Sequence, residues 1–146
     1  MSNENLKVDY FLKGVNSEQF ALIEANYNES DEVQIKVGLK VMRSDEEKLI
    51  GFFARLEFSQ GESSFIIIET VCHFQIAPDS WKSILNEDTN DLTLPRNFAS
   101  HLASISFGVC RGYLLGKVEK LPEFSKFFIP LIKVYELVPS DMLLKD

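Results

Sequence analysis

The chain has few groups able to do covalent chemistry. Cysteine and histidine occur only twice each, as Cys72, Cys110, His73 and His101. It has no Gly-x-Ser-x-Gly elbow and no glycine-rich phosphate loop followed by lysine, so the local signatures of acyl and phosphoryl transfer are missing. The reading is of a protein that is not an enzyme, with no cofactor and no metal. Cys72 and His73 are adjacent in a β-rich run, so their side chains point to opposite faces and do not share one ion. Positive charge is scarce too: 15 Lys and Arg stand against 22 Asp and Glu, a net charge of -7. That balance disfavours nucleic acid and anionic membrane as partners.

A secretory signal is lacking at Met-Ser-Asn-Glu-Asn, which has neither a basic nor an apolar region, so the expected location is cytoplasmic with both thiols reduced. The longest apolar stretch, Phe98 to Gly116, is interrupted by His101, Arg111 and three serines, which are costly in hydrocarbon, and membrane insertion is not expected. No internal repeat, low-complexity tract or linker is visible, which leaves a single domain over 1–146.

What is present is hydrophobic patterning. The hydrophobic share is 45% with 12 Phe, enough for a substantial core. Val33, Ile35, Val37, Leu39 and Val41 alternate with Gln34, Lys36 and Lys40, the period of a strand with one wet face. After the charged turn Arg43 to Lys48, Phe52, Ala54, Leu56 and Phe58 alternate against Phe53, Arg55 and Glu57. Gln60 to Ser63 makes the next turn, and a β-rich run from Phe65 to Ile76 ends at Pro78. Three consecutive antiparallel strands follow from this. Ahead of them, Val8 to Tyr27 reads as one or two irregular strands around Asn16-Ser17, with Gly14 marking a bulge.

Beyond the sheet, Asp79 or Ser80 caps a short helix through Leu85, and Asn86 to Asp91 is a polar loop. Thr93 is expected to cap the long helix, with Pro95 in its first turn. Phe127 to Val138 contains Pro130, so it starts extended and turns helical over Leu131 to Val138. The long helix carries two apolar seams: Phe98, Leu102, Ile105 and Val109, and then Ala99, Ala103, Cys110 and Leu114. Two seams need two partners, the chain's own sheet and a second copy, with Ala99, Ala103 and Gly108 permitting close approach. Ala99, Ala103, Cys110 and Leu114 are therefore the expected oligomer interface. Cys110 reads as a small apolar residue and not a nucleophile. Arg111 either lies on the polar stripe of Asn97, Ser100, Ser104 and Gly108 or pairs with a carboxylate across an interface; desolvation cost favours the stripe. His101 is a stripe residue or an interface hydrogen-bonding group.

Three stretches resemble the SecB family of bacterial protein-export chaperones and their SecB-like relatives. Glu69-Thr-Val-Cys-His-Phe-Gln-Ile76 is similar to the family's acidic strand closing in Phe-x-Ile. Ile105-Ser-Phe-Gly-Val-Cys-Arg-Gly112 is similar to its helix ending in Arg-Gly, and Ile129-Pro-Leu-Ile132 to its Ala-Pro-Val-Asn turn. Pro95-Arg-Asn-Phe98 stands where the family has a Pro-Tyr-Ala-Arg-Glu-like helix start, which marks a divergent relative.

The resemblance implies an α+β fold: an antiparallel, roughly four-stranded Greek-key sheet followed by a long helix and a shorter C-terminal helix. It implies a homotetramer built as a dimer of dimers. The implied activity is ATP-independent holding of non-native polypeptides in apolar grooves, for protein export and transport or for a dedicated client such as an antitoxin. Unfolded or pre-export polypeptides are the implied partners, with the export motor or a toxin–antitoxin pair beyond them. The family's grooves lie near the first strand and the connector between helices, which makes Phe11, Phe20, Phe124, Phe127 and Phe128 the expected client contacts, with ordinary core packing as the alternative. Glu57 and Glu69 are expected on an acidic sheet face that meets a basic partner, or else as ordinary solvated charges. The competing function is a binding module holding a small apolar ligand between sheet and helix.

Overall fold

The alternation read from the sequence becomes one sheet with a clear inside and outside. The computed structural model describes residues 7–127 and 133–146. Strand β1 (Tyr10–Leu22) is followed by a 3-10 turn at Glu24–Asn26, then β2 (Gln34–Ser44), β3 (Leu49–Gln60) and β4 (Ser63–Ile76). The strands are antiparallel in the order β1-β4-β3-β2, so three hairpin-linked strands are closed by a first strand that lies beside the fourth. That is the Greek-key arrangement.

The turn residues fit their backbone. Gly61 takes φ 61 between paired Gln60 and Ser63, where glycine carries no Cβ penalty. Lys48 takes φ 55 at the end of the β2–β3 turn. Strand β1 is one long strand with register shifts at Leu12/Gly14 and Ser17/Gln19, so the bulge expected near Gly14 is present and a second follows it.

Helix α1 (Pro78–Ile84) begins with proline at its first position, where a missing N–H costs nothing. Neither Asp79 nor Ser80 caps it. Ala77 is the cap residue, and the Ser80 hydroxyl instead accepts the Asp9 backbone N–H at 2.9 Å, tying the start of the chain to α1. Two short strands, β5 (Leu85–Asn86) and β6 (Asp91–Leu94), form a hairpin across the expected polar loop. Thr93 therefore sits in a strand and does not cap the long helix. Helix α2 (Arg96–Val118) starts later than that, with Pro95 as its N-cap residue and not in its first turn, and its first amide, Arg96 N–H, donates to Asp141 Oδ1 at 2.9 Å. An acidic partner suits the positive end of a helix.

Helix α3 (Val134–Leu137) is a single turn, and the first residues expected to form it, Leu131 and Ile132, lie outside the described residues. Strand β7 (Met142–Leu144) then pairs with β6, giving a second, three-stranded sheet that the sequence reading did not foresee.

Helix α2 lies across one face of the main sheet. Phe52, Ala54, Leu56, Phe58, Ile66, Ile68, Cys72, Phe74 and Ile76 are all at most 1% exposed beneath it. Ala99, Ala103, Cys110 and Leu114 are fully buried in the same layer. This corrects the expected oligomer interface: the second seam packs on the chain's own sheet, because its small side chains let the helix lie close over β3 and β4. Of the first seam, Leu102 is buried while Phe98, Ile105 and Val109 are half-buried along the rim.

Candidate functional site

The aromatic residues expected to meet a client do not form one surface. Phe11 projects from the face of β1 away from α2 and is 59% exposed. Phe20, opposite Ile68 in the register, faces the helix side and is half-buried, with the Lys117 ammonium 5.6 Å from its ring centre. Phe124 is 2% exposed, which corrects its assignment as a client contact: the short turn after α2 carries it back under the helix into the core. There it meets Tyr27 at 5.2 Å, Phe127 at 6.3 Å and Phe65 at 6.4 Å between ring centres. Phe127 is half-buried on the same cluster, 5.1 Å from Phe65 and 5.8 Å from Phe58. Phe128 lies outside the described residues.

Two residues that sequence reasoning missed hold this end of the molecule together. Tyr27, after the 3-10 turn, packs tilted against Phe65 and Phe124 and edge-on to Phe127. Gln60, 8% exposed, accepts from Asn28 N–H at 2.8 Å and donates to Asn28 O at 2.7 Å and Asp31 O at 3.1 Å. Its amide substitutes for a piece of strand and anchors the crossover from β1 to β2. Only the position of Gln60, polar at the end of an apolar strand, hinted at this.

Glu57 and Glu69 do lie on the sheet face away from α2, yet that face is not acidic. Glu69 is opposite Arg55 in the register, 3.7 Å from its guanidinium, and Arg55 also donates to Gln19 at 2.8 Å. Glu57 accepts from the Ser64 hydroxyl and pairs in register with Lys36. Lys40 covers Phe53 at 4.6 Å on the same face, and Asn16 bonds His73 at 3.3 Å. A tripeptide-scale alternation placed the carboxylates outward; only strand pairing placed a cation or hydroxyl beside each.

Both thiols are core residues. Burial pushes the Cys110 thiol up to about 11, with a Thr70 hydrogen bond opposing, and its sulfur points at Ala54 O, 3.7 Å away. Burial also raises Cys72, against a Ser106 hydrogen bond. A thiol held protonated is a poor nucleophile. His73, on the opposite side of β4 from Cys72, faces out of the core.

The outward side of α2 has a different character. Gly108, Gly112 and Gly116 recur every four residues, and among the described residues no atom beyond the helix's own adjacent backbone lies within 4 Å of where a Cβ would stand on any of them. Val109, Tyr113 and Lys117 line an open groove of about 550 Å³ with Gly112 and Gly116. Tyr113 is 36% and Leu115 48% exposed beside it. Arg111 lies on this exposed side, as do Asn97, Ser104 and Gly108 of the expected polar stripe, whereas Ser100 is buried. No described helix is long and apolar enough to cross a membrane.

No protein-family model matches the chain, and no curated protein matches it. Among solved structures, a protein of unknown function from Streptococcus agalactiae is similar over 86% of this chain and 99% of its own, with a TM-score of 0.42 and 13% identity. The functional reading therefore rests on the chain's own residues.

Proposed function

We propose that this protein is a SecB-like holding chaperone: a homo-oligomer that binds non-native polypeptide through apolar surface, without ATP, and releases it by partition. The observation that carries the reading is the outward side of α2. A glycine in a helix interior costs about 1 kcal/mol relative to alanine. Among the described residues, nothing approaches Gly108, Gly112 or Gly116 closely enough to require one. Close approach by the α2 backbone of a second copy gives the repeated glycines a purpose, with Val109, Tyr113 and Leu115 as the apolar flanks. The interface between copies thus moves from the seam of Ala99 to the opposite side of the same helix.

Client contact falls to the exposed and half-buried aromatics, Phe11, Phe20 and Phe127, which a rigid oligomer would display in several copies. Clients are pre-export polypeptides or one dedicated protein such as an antitoxin. The alternative, a small apolar ligand between sheet and helix, is less favoured because buried side chains from β3, β4 and α2 fill that layer.

Light scattering gives the mass of the purified protein, while turbidity follows a chemically unfolded, aggregation-prone client. An oligomer that suppresses turbidity without nucleotide is expected. Gly112→Leu should fold, since the position has open space, but should lower the mass of the assembly. A monomeric wild-type chain that leaves aggregation unchanged would remove the proposal.

A further inference from the structure

The main sheet ends in two unlike edges, β1 and β2. Strand β1 is broken by its two register shifts, and such bulges spoil an edge for further pairing. Strand β2 is continuous. It pairs with β3 through all 11 of its residues, Gln34–Ser44, without a shift, and it contains no proline. No described strand pairs with its other side. The C-terminal segment, which Arg96 holds by stacking 3.6 Å over the Tyr135 ring and donating to Val138 O at 2.7 Å, meets β2 near one end. There Arg43 donates to Leu144 O at 2.7 Å. Residues 34–41 therefore form a free edge whose alternate backbone N–H and C=O groups point away from the sheet.

This edge is also a basic part of an acidic chain. Val33 to Ser44 includes Lys36, Lys40 and Arg43 and no Asp or Glu, although the whole chain carries a net charge of -7. Arg43 is paired with Asp45 at 2.7 Å. Lys36 and Lys40 are exposed on the sheet face away from α2 and have no ion-pair partner among the described residues. Gly38, between them, leaves a hollow of about 240 Å³ walled by Lys40, Phe53 and Arg55. Glu69 also lines it, and its carboxylate is held by Arg55 at 3.7 Å. The other face of β2 is apolar: Ile35 is 37% exposed, and Val37, Leu39 and Val41 are half-buried.

We infer that the free edge of β2 takes an extended segment of a partner protein in which acidic and apolar residues alternate. Main-chain hydrogen bonds add the segment to the sheet as a fifth strand, and the side chains on its two faces set the specificity. Its carboxylates fall opposite Lys36 and Lys40, where opposite charges across strands attract. Its apolar residues fall beside Ile35, Val37 and Leu39. A carboxylate across from Gly38 has the hollow to lean into, toward Lys40 and Arg55. A second copy of this chain is a poor occupant. Two β2 strands paired antiparallel about Gly38 set Lys36 against Lys40, and like charges directly opposite destabilise a sheet. The inference is independent of the chaperone reading, which rests on α2 and the exposed aromatics, and it is tested without a holding assay.

Amide resonances of the full chain in two-dimensional NMR supply the test. The probes are a short, end-capped peptide alternating valine and glutamate, its valine–lysine counterpart, and the glutamate peptide with its backbone nitrogens methylated. The glutamate peptide should shift residues 34–41 and slow exchange of the edge amides there. The lysine peptide should not bind, and methylation should abolish binding because it removes the donors that a strand needs. Raising the salt to about 0.5 M should weaken binding severalfold. The double variant Lys36→Glu, Lys40→Glu alters exposed side chains alone, so its spectrum away from β2 should stay unchanged while binding weakens about tenfold or more. Absence of shifts, equal binding of the lysine peptide, or undiminished binding by the double variant would overturn the inference. So would undiminished binding of the methylated peptide, which marks side-chain docking on the sheet face, or shifts at 34–41 that follow chain concentration without peptide, which mark a second copy on the edge.

Discussion

Replacing Phe124 by alanine separates a core aromatic from a client-binding one. The ring is 2% exposed and touches Tyr27, Phe65 and Phe127, so the substitution deletes a buried side chain and leaves a cavity at the base of the cluster. Phe→Ala in a core costs about 3–5 kcal/mol, and the lost ring pairs place this site toward the upper half of that range, near 4 kcal/mol. Domains of this kind are stable by about 5–15 kcal/mol, so the variant should fold with a reduced margin. In urea, with a slope of about 2 kcal/mol per molar, the midpoint should fall by about 2 M. Phe124→Leu, which keeps most of the volume, should lose less than half as much and serves if the alanine variant does not fold. Phe11→Ala, at a position 59% exposed, should shift the midpoint by less than about 0.3 M, since surface changes stay within about 0.5 kcal/mol. A loss below about 1 kcal/mol for Phe124→Ala, with holding activity abolished at unchanged stability, would refute the burial argument and return Phe124 to the client surface.

Gln60→Ala should cost about 2–3 kcal/mol by unfolding titration, since it leaves the Asn28 and Asp31 backbone groups unpaired, and should speed hydrogen exchange in the 24–33 crossover. Arg96→Ala should release the C-terminal segment, seen as lost exchange protection in β7, and Arg96→Lys should not restore it, because lysine lacks the planar stack on Tyr135. Stability should also decline in alkali. The Cys110 thiol ordinarily titrates near 9.0 and is pushed up to about 11 in the fold, so the folded chain keeps a proton that the unfolded chain loses. Its contribution is complete below pH 9 and shrinks as pH rises toward 11; Cys110→Ala should flatten that decline in denaturation midpoints measured across this range, and an unchanged slope would count against it.

The sheet was legible because its information is local. Period-2 alternation in β2 and β3, a glycine turn at Gly61 and the proline after Ile76 each act within a few residues, and they fix strand identity and which side is dry. The long helix was legible for the same reason, through its apolar content. Which of its seams faced the sheet was not, since Ala99 and Phe98 are both apolar and only the closeness of packing over β3 and β4 distinguishes them. The candidate site shows the same division. That Glu57 and Glu69 point outward follows from strand period alone, whereas Arg55 and Lys36 reach them through pairing of distant strands.

Other features lay beyond local pattern altogether. The β6–β7 pair joins residues some fifty positions apart, the Arg96 clamp reaches Val138, and Gln60 reaches back to Asn28. Phe11 stands between Tyr10 and Leu12 and Phe124 between Glu123 and Ser125, yet it is Phe124 that is in the core and Phe11 in water. By itself the sequence determined the four long strands, the long helix and which sides of the strands are apolar. Tertiary structure alone decided which aromatics stay accessible, which charges are paired and which side of α2 is left uncovered. Those properties depend on contacts between residues far apart in the chain, and such contacts leave no periodic trace in it.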